Sequence, residues 1–261
     1  MQAEGDCLAW IATTYSRFGK RFDPAILAEL LTAMGAYASI ARSLGNVPLA
    51  KHVLAFAFEK GAASSGLVTG WLLWRAAPIL ADIGYPKVAV ASLERSLGIF
   101  SSRRSTWETH GVRLSLGLQY LYSGDFAGSL ACLSECLHSD DIDEFYQSIA
   151  LSNLALLYER QQKPEEAIAL LDSAEDVLAN ASRRVIANAR WIKARALVAS
   201  GEIEIGAEIF AGLREDICRY GAPVDPLLLF CDYAGVLTHL GDSRRLRAAR
   251  ELFQEHLSNP N

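Results

Sequence analysis

Residues 148–179 read SIALSNLALLYERQQKPEEAIALLDSAEDVLA, and their spacing decides the fold. Leu151, Leu154, Ala155 and Tyr158 stand at i, i+3, i+4 and i+7, which is one face of an α-helix. The chain turns at Gln162-Lys163. Pro164 then supplies the fixed φ of a first helical turn, and Glu165 and Glu166 follow where acids complement the positive end of a helix dipole. Ala167, Leu171 and Ala174 mark the inner face of a second helix. Two amphipathic helices joined by so short a turn form an αα-hairpin.

The same frame recurs around Gly45, Gly84, Gly124, Gln162, Gly201 and Gly241, at intervals of 38 to 40 residues. A period of that size means stacked two-helix repeats. Small residues return at one place before each turn (Ala38, Ala77, Gly117, Ala155, Ala194, Ala234) and another after it (Ala50, Ala89, Ser129, Ala167, Gly206). Two helix backbones are expected to approach closely there. The turn glycines suit the left-handed conformation that ends a helix, with Asp125 and Asp242 capping the next one. The expected fold is all-α: a right-handed α-solenoid of about six helix-turn-helix repeats with one preceding helix. As one array over residues 1–261, it divides into a leading helical segment within 1–23 and repeats near 24–61, 67–100, 105–138, 142–179, 182–220 and 224–257. The leading helix covers residues 6 to 18, closed by Gly19 and followed by the cap-and-proline pair Asp23-Pro24.

The order of small residue, Tyr, Gly-Asp and Ala resembles the tetratricopeptide repeat (TPR), over roughly residues 30 to 257. The match is strongest at Leu151, Leu154, Ala155, Tyr158, Ala167, Leu171 and Ala174. The period exceeds the usual 34, and long-period variants look like the sensor regions of bacterial transcription regulators. Residues 119–125 (QYLYSGD) and 190–195 (RWIKAR) resemble segments of helix-turn-helix-plus-repeat regulators. No DNA-reading helix-turn-helix fits in the first 23 residues, and the last helix stops at Leu257 without a polar capping helix. The chain is therefore expected to be a segment, or a processed copy, of a longer regulator.

Composition narrows the partners. The formal net charge of −5 speaks against direct nucleic-acid binding, which draws on clustered Lys and Arg. Apolar stretches such as Leu30 to Ala41 end well short of the roughly 20 residues of a membrane span. Five cysteines in a chain of this length fit free thiols in a reducing cytoplasm. Signatures for dinucleotide, phosphate, zinc-protease and serine-hydrolase chemistry are missing, so no enzyme activity and no cofactor is expected. Cys132, Cys136 and His138 invite a metal reading, but Cys136 occupies a small-residue core slot and a fourth ligand is not apparent. Asp140, Asp141, Asp143 and Glu144 read as caps and first-turn acids of the next helix.

What remains is a surface. The resemblance implies a concave groove lined by the first helix of each repeat. Carried onto this sequence, the candidate ligand-binding residues are Trp71, Trp74, Arg75, Leu118, Tyr122, Asn153, Arg160, Asn188, Trp191 and Arg195. Trp and Arg supply most binding hot spots. Each tryptophan could equally be plain core, and each arginine could pair with acids on an adjacent helix. Asn153 and Asn188 resemble the asparagines with which such repeats hold an extended peptide, since a side-chain amide offers both donor and acceptor. The expected function is non-catalytic binding of a protein or peptide segment, or of a small effector. The alternative is a scaffold that self-associates as a homodimer through its ends. Pro78, inside a helical pattern, is expected to bend its helix or free a carbonyl.

Overall fold

The computed structural model describes residues 24–61, 66–221 and 225–258; the leading segment expected at 6 to 18, with Gly19 and Asp23, lies outside them. Thirteen α-helices and no strand occur among the described residues. They are α1 (Pro24–Ser43), α2 (Val47–Gly61), α3 (Gly66–Asp82), α4 (Pro86–Ser102), α5 (Thr106–Ser123), α6 (Phe126–Leu137) and α7 (Glu144–Arg160). There follow α8 (Pro164–Ser173), α9 (Glu175–Ala179), α10 (Arg183–Ser200), α11 (Ile203–Tyr220), α12 (Asp225–His239) and α13 (Ser243–Ser258).

The six turn positions all have positive φ: 80° at Gly45, 91° at Gly84, 83° at Gly124, 59° at Gln162, 98° at Gly201 and 69° at Gly241. Each turn also makes the same pair of backbone bonds. At Gly201 the amide donates to the Val198 carbonyl at 3.2 Å, and the Glu202 amide reaches back to Leu197 at 2.8 Å. This is the Schellman arrangement, which satisfies carbonyls that the helix end leaves bare. Beyond the turn the next helix is capped, with Asp125 Oδ1 accepting from the Gly128 amide and Asp242 Oδ1 from the Arg245 amide, each at 2.9 Å. Asp143 caps α7 in the same way, accepting from the Tyr146 amide at 2.8 Å.

The chain forms two compact units, one ending at Ser115 and one beginning at Leu116, a division that falls within α5. In the first unit, α1 packs on α2 and α3, and α3 packs on α4. Its core includes Leu31, Met34, Ala38, Ala50, Leu54 and Leu72. In the second unit, α7 pairs with α8, α10 with α11 and α12 with α13, while α10 also lies beside α7 and α12. The small-residue slots are the closest approaches. Ala38, Ala77, Ala155 and Ala194 are fully buried, as are Ala50, Ala89, Ser129 and Ala167. A Cβ on Gly206 would stand 2.9 Å from the Ala194 carbonyl oxygen, so α10 and α11 nearly touch there.

Two details differ from the sequence pattern. The helix expected to run through Ala174 is broken at that residue into α8 and α9, where the Ser173 hydroxyl donates to the Leu170 carbonyl and competes for the helical ladder. Helix α3 continues through Pro78, whose missing N–H leaves the Trp74 carbonyl without its helical donor.

Candidate functional site

Six of the ten sequence-derived groove residues fall into two clusters, one in each compact unit. In the first, Trp71, Trp74 and Arg75 lie half-buried on α3. The two indole rings are 5.1 Å apart, and the Arg75 guanidinium carbon sits 5.2 Å and 5.0 Å from their centroids. Trp107, near the start of α5, completes the group at 6.1 Å from Trp71 and 6.2 Å from Trp74, with 45% of its surface exposed. Phe100 closes the cluster from beneath, edge-on to both α3 tryptophans. Each ring pair is worth about 0.5–1.5 kcal/mol beyond area burial. Gly35 on α1 faces the Arg75 stem, which a Cβ there would meet at an ordinary contact distance of 3.5 Å.

In the second unit, Trp191 and Arg195 on α10 join Glu159 on α7 to Asp232 on α12. The Trp191 indole N–H donates to Asp232 Oδ2 at 2.8 Å. Arg195 lies between the two acids, with Nη1 3.7 Å from Asp232 Oδ2 and Nη2 3.4 Å from Glu159 Oε2. Its Nε is 3.4 Å from Glu159 Oε1 without hydrogen-bond alignment. Arg160, mostly exposed, adds a looser contact to Glu159 at 3.7 Å. Trp191 is only 8% exposed and belongs to the core with Ala194, Phe210 and Leu229. That corrects its assignment to an open groove wall: the ring fills the space between α10 and its neighbours, and its one donor is engaged inside the protein.

The other candidates stay apart from these networks. Leu118 is half-buried on α5, and Tyr122, one turn further, is 63% exposed. Asn153 on α7 and Asn188 on α10 are half-buried, and among the described residues neither amide makes a hydrogen bond. Cys136 is fully buried, and the His138 ring contacts the Ser134 carbonyl at 2.7 Å. No group of three or more potential metal ligands occurs among the described residues. Burial pushes the Cys218 thiol and the Tyr233 phenol up from their ordinary values, Arg214 and Arg245 respectively opposing it, so neither moves toward its ionised, nucleophilic form. No helix among the described residues is long and apolar enough to cross a membrane.

No protein-family model matches the chain, and no curated protein matches it. Solved structures do. The nearly identical TPR-like repeats ascribed to a kinesin light chain of Podosopora anserina align with 74% of this chain and 96% of theirs, at 18% identity and a TM-score of 0.55. PilF of Pseudomonas aeruginosa aligns over 91% of this chain and 94% of its own, at 16% identity and a TM-score of 0.56. The fold is a TPR-like helical repeat.

Seen as TPR-like repeats, the two clusters share a rule. Trp74 and Trp191 each stand ten residues before their turn glycine, Gly84 and Gly201. Each donates its indole N–H, at 2.8 Å, to a residue nine before the next one: Ser115 before Gly124, Asp232 before Gly241. Gly35 and Arg75 occupy the same pair of positions. In these three pairs, each within one compact unit, the first helices therefore pack in one register. Trp107 escapes sequence reading because it stands seventeen residues before Gly124, at the helix start and off the periodic packing face. Its nearness to Trp71 and Trp74 becomes visible only once that register is known.

Proposed function

We propose that this chain is a non-catalytic TPR-like binding module that holds an extended peptide or protein segment along its first helices. The observation that carries the reading is the pair of unengaged, solvent-reaching amides of Asn153 and Asn188, on the adjacent helices α7 and α10. An amide that is half-buried yet unbonded is set to exchange both donor and acceptor with a peptide backbone. Arg160, two turns along from Asn153 and mostly exposed, supplies a charge at the edge of the same face. In the first unit, the exposed edge of Trp107 offers an aromatic anchor of the kind that dominates binding hot spots. Trp191 and Arg195 act in this reading as positioning residues, holding α10 between α7 and α12. We further take the module to be the sensor or interaction region of a regulatory protein of the bacterial transcription-regulator type, on the likeness of residues 119–125 and 190–195. Binding would be reported through small rotations between neighbouring repeats.

The test is selection of twelve-residue peptides from a random display library, followed by titration of the enriched sequences. Asn153→Ala and Asn188→Ala are each expected to weaken binding by about tenfold, one buried hydrogen-bonding group being worth roughly 1–1.5 kcal/mol. Peptides that bind both variants as tightly as the parent protein would overturn the assignment. So would a failure to enrich any peptide.

A further inference from the structure

The second unit holds a cleft of about 220 Å³ between the α8–α9 segment and α10. The break at Ala174 separates Leu171 from Leu178, and these two buried side chains form its floor with Ala189. A dry apolar cavity of roughly 150 Å³ is enough to bind benzene, so this one takes a single ring with a short arm. Four charged residues edge it, Asp172, Glu175, Arg190 and Lys193. Three have partners: Lys193 pairs with Asp172 across the opening, and Arg190 lies 3.9 Å from Asp216. Glu175 is exposed, and among the described residues its carboxylate engages no side chain.

We propose that this cleft binds a small amphiphilic cation: an apolar ring or short chain on the floor, carrying one ammonium toward Glu175. An apolar floor under one uncommitted negative charge selects for that combination, because Lys193 and Asp172 neutralise each other and Arg190 faces Asp216 beyond the rim. A ligand carboxylate at the same place would meet Glu175 with like charge. The inference does not depend on the peptide-binding face, which shares α10 with it but pairs that helix with α7 and differs in chemistry. It supplies a place for a small effector within the same compact unit.

Phenethylamine and 3-phenylpropionate, which share a body and differ in charge, are the probes. Titrated at low salt and followed by amide chemical shifts, phenethylamine is expected to perturb residues of α8, α9 and the first half of α10. It should bind about tenfold more tightly than the acid, the difference between attraction and repulsion at a solvent-facing carboxylate. Glu175→Gln, at an exposed position, should bring the two probes to within about twofold of each other. Ala179→Trp, also at the exposed rim, should abolish binding of both by covering the opening. The proposal falls if neither probe perturbs these amides at about 10 mM, or if the acid binds as well as the amine. It falls equally if the preference survives Glu175→Gln or the binding survives Ala179→Trp.

Discussion

Replacing a turn glycine by alanine should destabilise the repeat by an amount set by φ alone. Gly201 is the cleanest site, since a Cβ there meets nothing within 4 Å and any cost is conformational. Its φ of 98° lies well outside the small left-handed region near +57° that L-residues tolerate, whereas Gly241 at 69° lies at its edge and Gln162 at 59° lies within it. A left-handed residue with a Cβ costs roughly 1–2 kcal/mol, offset by about 0.5–1 kcal/mol because alanine also has less unfolded-state entropy to lose. At Gly201 the strain exceeds the ordinary left-handed value, so Gly201→Ala should cost about 1–2 kcal/mol net. Gly241→Ala should cost less than about 1 kcal/mol. Gln162→Gly should be nearly balanced, within about 0.5 kcal/mol of the parent, since relief of strain and added unfolded entropy oppose each other. All three sites lie in the second compact unit. Urea unfolding of that unit's tryptophan signal, Trp191, reports each change as a shift in midpoint at unchanged m. A Gly201→Ala protein as stable as its parent would refute the reasoning. So would a cost at Gly241 larger than at Gly201, because φ would then not be the governing quantity.

Other perturbations reach the packing and the thiols. Gly206→Val should cost at least about 2 kcal/mol by overpacking, because even a bare Cβ would stand 2.6 Å from Val198 Cγ2 and 2.9 Å from a backbone oxygen; urea midpoints give the value. A double-mutant cycle on Trp191→Phe and Asp232→Ala should yield a coupling of roughly 1.5–3 kcal/mol, the range for a hydrogen bond to a charged group. The matching cycle on Trp74→Phe and Ser115→Ala should yield about 0.5–1.5 kcal/mol, and equal couplings would mean that the Asp232 charge adds nothing. In a Cys7→Ser background, a thiol-specific disulfide reagent at neutral pH should label exposed Cys231 first. Cys218, its thiol pushed up by burial, should react more slowly, and fully buried Cys136 only on unfolding; mass spectrometry of timed samples distinguishes the order.

The repeat was legible because it rests on steric necessities that leave marks at fixed distances from the turn. Close helix approach demands a small residue seven before and five after the turn position, and the burial of Ala155 and Ala167 around Gln162 shows that packing holds where the glycine itself is lost. Gln162 still adopts φ 59°, so the hairpin imposes the left-handed turn on a residue that only tolerates it. Arg104, at φ 55°, closes α4 with the same pair of backbone bonds, yet the Arg103-Arg104 pair there gives no compositional signal of a turn. The candidate site was harder to read for a related reason. Tryptophan at one repeat position in both α3 and α10 suggested a shared ligand surface, but its indole donor serves the next first helix in each case. A residue type that returns at an equivalent position answers to a requirement that itself repeats, and in a stacked array that requirement is the neighbouring repeat. A ligand contact is not bound to recur in every repeat. The residues that speak for binding are accordingly the ones without counterparts: Asn153 aligns with Arg75, Ser115, Ile192 and Asp232, and Trp107 aligns with Leu67, Phe145 and Arg184. Asn153 stands at the register position where Ser115 and Asp232 each accept an indole N–H, yet its own amide makes no hydrogen bond, so a partner can engage it without loosening the stack.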